Sequence, residues 1–109
     1  MKEIPVFAFF FCSGLKRVTI PNSVTFIGAY AFAHCTALKS IIIPDSVAFV
    51  EKLAFSYCDE LTSVTLPSSI AIIPEELFFC CNKLASVALP DSIVSIESRA
   101  FGECTALKS

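Results

Sequence analysis

Residues 21–43, PNSVTFIGAYAFAHCTALKSIII, decide the fold, because the chain repeats them in varied form from end to end. Residues 44–66 read PDSVAFVEKLAFSYCDELTSVTL and residues 67–89 read PSSIAIIPEELFFCCNKLASVAL, each 23 residues long and without insertion. Residues 90–109 supply the first 20 positions of a further unit, and residues 1–20 the last 20 positions of an earlier one. A single array, made of a partial repeat (1–20), full repeats (21–43, 44–66, 67–89) and a second partial repeat (90–109), therefore accounts for the whole chain. With Pro21 as position 1, position 12 is Phe9, Phe32, Phe55, Phe78 and Phe101, position 15 is Cys12, Cys35, Cys58, Cys81 and Cys104, and position 18 is Leu15, Leu38, Leu61, Leu84 and Leu107. Position 7 takes Ile4, Ile27, Val50, Ile73 and Ile96. Self-similarity at such a period marks a solenoid, in which each unit buries its apolar side only against its neighbours.

Within a unit, positions 20 to 23 alternate as a strand does, with Ile41 and Ile43 on one face and Ser40 and Ile42 on the other. Pro21, Pro44, Pro67 and Pro90 follow at once; a residue without an N–H and with φ fixed ends the ladder and turns the chain. Asn22-Ser23, Asp45-Ser46, Ser68-Ser69 and Asp91-Ser92 then supply short side chains expected to bond the turn amides. Val24, Val47, Ile70 and Ile93 re-enter the core ahead of position 7, which suits a second short strand. Positions 8 to 13, with their Ala-Phe or Leu-Phe pair, are too short for an independent helix and predict one helical or 3₁₀ turn on the outer side.

Hydrophobic residues make up 55% of the chain and mean hydropathy is +0.74, as expected where several positions of every short coil point inward. The net charge of −2 and the lack of any Lys/Arg run argue against a nucleic-acid partner. The start, MKEIPVFAFFFC, has the outline of a secretion leader, but Glu3 cancels the charge of Lys2, Pro5 interrupts the run, and Ile4 and Phe9 already sit in their repeat columns. Val18–Leu38 lacks charge, yet Pro21, Asn22 and Ser23 break it, so no membrane span is expected. Of six cysteines, five recur at the repeat period, which signals packing rather than pairing. They read as buried thiols that fill space and donate to loop carbonyls. Cys80 alone departs from the ladder.

These columns resemble the BspA-like leucine-rich repeats, through the pattern L-x-x-I/V-x-I/L-P-x-S-V/I-x-x-I-x-x-x-A-F-x-x-C carried over all 109 residues. The departures are Leu77 in place of Ala, Pro74 where another unit has Gly28, and the doubled Cys80-Cys81. The resemblance implies a leucine-rich-repeat solenoid, β-rich and of α/β type, with a parallel sheet on the concave face and the short turns on the convex one. It also implies a place on cell surfaces and a part in adhesion to host proteins and cells. Neither terminus carries a polar capping coil, so the array reads as part of a longer one whose open ends invite homo-oligomers stacked end to end.

Catalysis and metal binding find no support in the residues. His34 stands alone at a variable position, Glu75-Glu76 suits a solvated outer turn, and cysteines 23 residues apart form a column rather than a tetrahedral cluster. No cofactor is implied. The reading that survives is binding of a protein through the outward positions 19, 20 and 22: Lys16, Arg17 and Thr19; Lys39, Ser40 and Ile42; Thr62, Ser63 and Thr65; Ala85, Ser86 and Ala88. Such a broad, mildly basic face suits a protein rather than a small molecule. Arg17, Lys39 and Ile42 stand out as a charged or large apolar group among Ser, Thr and Ala. The alternative is a structural segment whose role is the stack itself, without a dedicated partner.

Overall fold

A computed structural model describes residues 3–107. Met1 and Lys2, and with them the charged start of the discarded leader reading, lie outside the described residues, as do Lys108 and Ser109 of the last partial repeat. Seven short strands run in parallel pairs: β1 (Glu3–Ile4), β2 (Phe26–Ile27), β3 (Ser40–Ile42), β4 (Phe49–Val50), β5 (Ser63–Thr65), β6 (Ile72–Ile73) and β7 (Ser95–Ile96). They form two rows. The row at positions 6 and 7 holds β1-β2-β4 and, beyond a break, β6-β7, whereas the row at positions 20 to 22 holds β3-β5. Partners differ by one repeat throughout, as in Glu3↔Phe26, Phe26↔Phe49, Ser40↔Ser63 and Ile72↔Ser95.

Stacking in this register lays like on like. The Phe rings of position 12 form one file: centroids lie 5.2 Å apart from Phe9 to Phe32, 5.2 Å from Phe32 to Phe55, 5.8 Å from Phe55 to Phe78 and 5.5 Å from Phe78 to Phe101, with planes within 18° of parallel. Phe32, Phe55 and Phe78 are fully buried, together with Ile27, Leu38, Leu61, Ile73 and Leu84 from the neighbouring columns. The thiols line up beside them, each donating to the Phe carbonyl of the previous coil: Cys35 to Phe9 O (3.2 Å), Cys58 to Phe32 O (3.2 Å), Cys81 to Phe55 O (3.1 Å) and Cys104 to Phe78 O (3.0 Å). All six cysteines are free.

The proline turns close as expected, with Val24, Val47, Ile70 and Ile93 amides donating to Pro21, Pro44, Pro67 and Pro90 carbonyls. Three of the short side chains after them work differently from the expectation. Ser46 and Ser92 hydroxyls donate to the carbonyls of Val24 and Ile70 in the preceding coil, and Asp45 accepts the Ser68 amide of the next one. They fasten coil to coil instead of bonding their own turn. At Gly28 the fastening is tightest: a Cβ there would meet the backbone nitrogen of Val6 at 2.6 Å, so only glycine admits the first coil at this distance.

The predicted helical or 3₁₀ turn on the convex side is absent; no helix of either kind occurs among the described residues. The backbone shows why. Positions 10 and 14 adopt left-handed conformations in every coil: Phe7, Tyr30, Leu53, Glu76 and Arg99, then Phe11, His34, Tyr57, Cys80 and Glu103, with φ between 54° and 63°. A right-handed helix cannot pass through such a residue. Successive tight turns replace it, as where Ala31 donates to Gly28 O, Ala33 to Tyr30 O and Cys35 to Phe32 O. The intervening amides reach the next coil, Phe32 to Ala54 O and His34 to Ser56 O, a pattern shared by Phe55 to Leu77 O and Tyr57 to Phe79 O. A helix would have spent every amide inside its own coil, whereas these turns use alternate amides to hold the stack together.

Truncating the central ring tests the file directly. Phe55→Ala leaves a void that neighbouring coils cannot close, and unfolding should become easier by about 3–5 kcal/mol; a melting temperature equal to that of the parent chain would contradict the stacked file. The left-handed positions make a separate expectation at an exposed side chain, Glu103 (φ 59°). Glu103→Val should cost about 1–2 kcal/mol more than Glu103→Asn, because a β-branched residue resists that conformation and asparagine tolerates it; equal denaturation midpoints would refute it.

Candidate functional site

Alternation along β3 and β5 turns Ile41 and Val64 into the core and leaves Ser40, Ile42, Ser63 and Thr65 outside. All twelve residues singled out from the sequence, Lys16, Arg17, Thr19, Lys39, Ser40, Ile42, Thr62, Ser63, Thr65, Ala85, Ser86 and Ala88, are exposed. Among the described residues only the two central coils pair as strands here. Residues 16–19 and 85–88 run alongside without joining the ladder, tied on the first side by Lys39 N donating to Lys16 O at 3.4 Å. In the middle the seam is closed twice, since both the amide and the hydroxyl of Thr62 donate to Lys39 O, at 2.9 and 3.1 Å.

Where residues 16–19 run beside β3 without pairing as a strand, an open groove of about 450 Å³ lies between them. Arg17, Thr19 and Asn22 line one wall and Ser40, Ile42 and Pro44 the other, so the structure brings Arg17 and Ile42 to one hollow while Lys39 stays outside it. Ile42 is 68% exposed, an apolar side chain held in water at the rim of this groove. A smaller hollow of about 270 Å³ on the far side of β5 is lined by Thr65, Leu66, Ser68, Ala88 and Leu89. Among the described residues Lys16, Arg17 and Lys39 give the face three cations, and no carboxylate occurs in its columns.

The residues considered for chemistry fall elsewhere. His34 is half-buried and stacked between Phe11 (4.4 Å) and Tyr57 (4.5 Å), so its imidazole is part of a ring ladder rather than solitary. Around it the outer turns gather an aromatic cluster that the sequence reading missed: Phe7 stacks on Tyr30 at 4.8 Å, Phe10 meets Phe7 and Phe11 edge-on, and Tyr57 meets Phe79. Arg99 lies over the Phe79 ring at 4.7 Å and pairs with Glu76 at 3.7 Å. These rings come from positions 10, 13 and 14, whose proximity depends on the left-handed turns. Among the described residues no group of His, Cys, Asp and Glu is arranged to hold a metal ion, and no helix is long and apolar enough to cross a membrane.

Four of the thiols, Cys35, Cys58, Cys80 and Cys104, are poor nucleophiles. Burial pushes Cys35 and Cys104 up to about 11 from an ordinary value of 9.0, and the neighbouring Cys81 thiol together with burial pushes Cys58 far up. Cys80, half-buried beside Glu103, is raised as well, by burial first and then by that carboxylate.

The BspA type leucine-rich repeat region matches residues 2–109 in six copies. The chain belongs to this family. Three solved structures share the fold closely. A leucine-rich repeat protein of T. pallidum is 37% identical with a TM-score of 0.94, matching 98% of this chain and 50% of its own. One from Bacteroides ovatus is 35% identical with a TM-score of 0.96, over 99% of this chain and 28% of its own. A leucine-rich cell surface protein of Faecalibacterium prausnitzii is 36% identical with a TM-score of 0.88, over 100% of this chain and 36% of its own. The BspA-type chain thus spans half their length or less. No curated protein matches the sequence.

The raised thiols set an alkaline limit on stability. In the unfolded chain they ionise near 9, whereas the folded ones stay protonated to about 11, so their contribution is complete below pH 9 and is lost as pH rises towards 11. Melting under reducing conditions should therefore be flat from about pH 6 to 8 and fall between about 9 and 11, with a shallower fall in Cys35→Ala. The same slope in parent and variant would remove the thiol from this account.

Proposed function

We propose that this array is a protein-binding module of a surface adhesion or host-interaction protein, docking through positions 19, 20 and 22. Family membership supports a binding scaffold, and the Faecalibacterium relative is described as a cell surface protein. The observation that carries the choice of face is Ile42, solvent-exposed at the rim of a groove whose opposite wall holds Arg17, with Lys39 beside it. An apolar anchor ringed by cations and small hydroxyl residues fits the anatomy of a binding hot spot, where one apolar group is buried and its charged rim steers the partner. The groove is open and wide, a shape suited to a side chain or loop of another protein more than to an enclosed small molecule. Acidic segments of an extracellular protein would complement three cations unopposed by carboxylates.

Purified extracellular-matrix proteins captured on a sensor surface provide the test. The parent chain should bind at least one of them, more weakly as salt is raised, and the triple variant Arg17→Ala, Lys39→Ala, Ile42→Ala should lose about tenfold or more in affinity with its melting temperature unchanged. Equal binding by parent and triple variant would exclude this face.

A further inference from the structure

The other strand row carries a second exposed surface of opposite character. Its outward position 6 holds Glu3, Phe26, Phe49, Ile72 and Ser95. Phe49 is 63% and Ile72 43% exposed, although both sit in coils with a neighbour on either side, so neither is uncovered by the end of the array. Val94, next to Ser95, is 80% exposed. Alternation places position 8 on the same face as position 6, which adds Glu51 and Glu97. Both carboxylates are held there: Glu51 accepts the Ala29 amide of the preceding coil at 3.1 Å, and Glu97 accepts the Ser95 hydroxyl at 2.9 Å. Across positions 6 to 9 the carboxylates of Glu3, Glu51, Glu75 and Glu97 face a single cation, Lys52.

We infer that this flank docks a cationic amphipathic helix of a partner polypeptide, lying along the array with its apolar stripe on Phe26, Phe49 and Ile72 and its Lys or Arg residues over Glu51 and Glu97. Charge complementarity selects the sign of the partner. Spacing selects its conformation. Stacked strands recur every ~4.8 Å; the apolar residues of an amphipathic helix advance about 5.3 Å each along its axis, and those on one face of a strand about 6.7 Å. A helix therefore keeps step with the paired rungs of β1, β2 and β4, whereas a strand drifts out of phase within two, and Ile72 continues the exposed stripe beyond the break in the ladder. This surface shares no residue with the face proposed for adhesion, so the two readings stand or fall separately.

Titration of the chain with a synthetic three-heptad peptide carrying Leu at a and d and Lys at e and g tests the inference, with a Glu-for-Lys version and a scrambled peptide of the same composition as controls. The cationic helix should bind about tenfold or more tightly than either control, and increasingly weakly with salt. Phe49→Ser with Ile72→Ser should weaken it about tenfold. Glu51→Gln with Glu97→Gln, which keeps an acceptor for the Ala29 amide, should weaken it and flatten the salt dependence. The Arg17, Lys39, Ile42 triple alanine variant should bind the peptide as the parent does. All four flank side chains are exposed, so melting curves confirm that the variants remain folded. Equal affinity for the scrambled peptide, or parent-like binding by both double variants, overturns the inference. So does a parent chain that self-associates and becomes monomeric on Phe49→Ser with Ile72→Ser, which would give the stripe to a second copy.

Discussion

Each coil is joined to the next through its position-12 phenylalanine, and three interactions meet at that residue. The Phe32 ring lies parallel to those of Phe9 and Phe55, its amide donates to Ala54 O of the following coil, and its carbonyl accepts the Cys58 thiol of that same coil. Phe55 repeats the arrangement with Leu77 O and Cys81, and Phe78 with Ala100 O and Cys104. Ring, amide and carbonyl can be satisfied together at only one offset. A residue inserted into one coil would leave a buried carbonyl without its thiol and move a ring off its partner, which is why the 23-residue phase runs through the chain unbroken. Cysteine suits the site because sulfur fills apolar space while its weak S–H gives up little when it leaves water.

Much of this was legible in one dimension. A column of identical apolar residues is a buried file whatever its detailed conformation, and the alternation of Ile41 and Ile43 with Ser40 and Ile42 fixes which side chains face water. The convex turns were not legible, because the usual sign of a left-handed backbone is glycine and none of these ten positions holds one. Their Ala-Phe pairs instead favour a helical reading. The signal that was present is negative: positions 10 and 14 contain Phe, Tyr, Leu, Glu, Arg, His and Cys, and never Val, Ile or Thr, the residues for which positive φ is most costly. That cost, about 1–2 kcal/mol per residue in isolation, is offset where alternate amides find carbonyls in the next coil. Tertiary bonding selects the local conformation here, and no window of a few residues contains its cause.

The groove at the candidate site was hidden for a related reason. Leu15-x-x-Val18-x-Ile20 carries the same pattern as Leu38-x-x-Ile41-x-Ile43, yet only the latter forms a strand. Strand pairing belongs to two coils at once, and the pattern of one does not state its distance from the other. The outward positions could be named from the sequence; that Arg17 and Ile42 line one hollow while Lys39 does not could not.

With the inner columns committed to stacking, chemical variety is confined to the outward ones, and stacking turns each into a line of side chains at one-rung spacing. Charge then separates by column. Lys16, Arg17 and Lys39 fall in the columns of one strand row, whereas Glu3, Glu51 and Glu97 fall beside the other, although the chain as a whole is nearly balanced at −2. A small net charge therefore conceals two surfaces of opposite sign on the two strand rows, both exposed and so both sensitive to salt. The aromatic cluster on the outer turns is of another kind: its rings lie against one another, Phe7 on Tyr30 and Phe11 on His34 on Tyr57, and tie coil to coil, although Phe7 and Phe11 are stacked on one side only and stay 50% and 58% exposed. The outward columns of the two strand rows keep side chains in water even where their backbones pair, Ile42 opposite Thr65 and Phe49 opposite Phe26, and these two are among the most exposed apolar residues of the described chain.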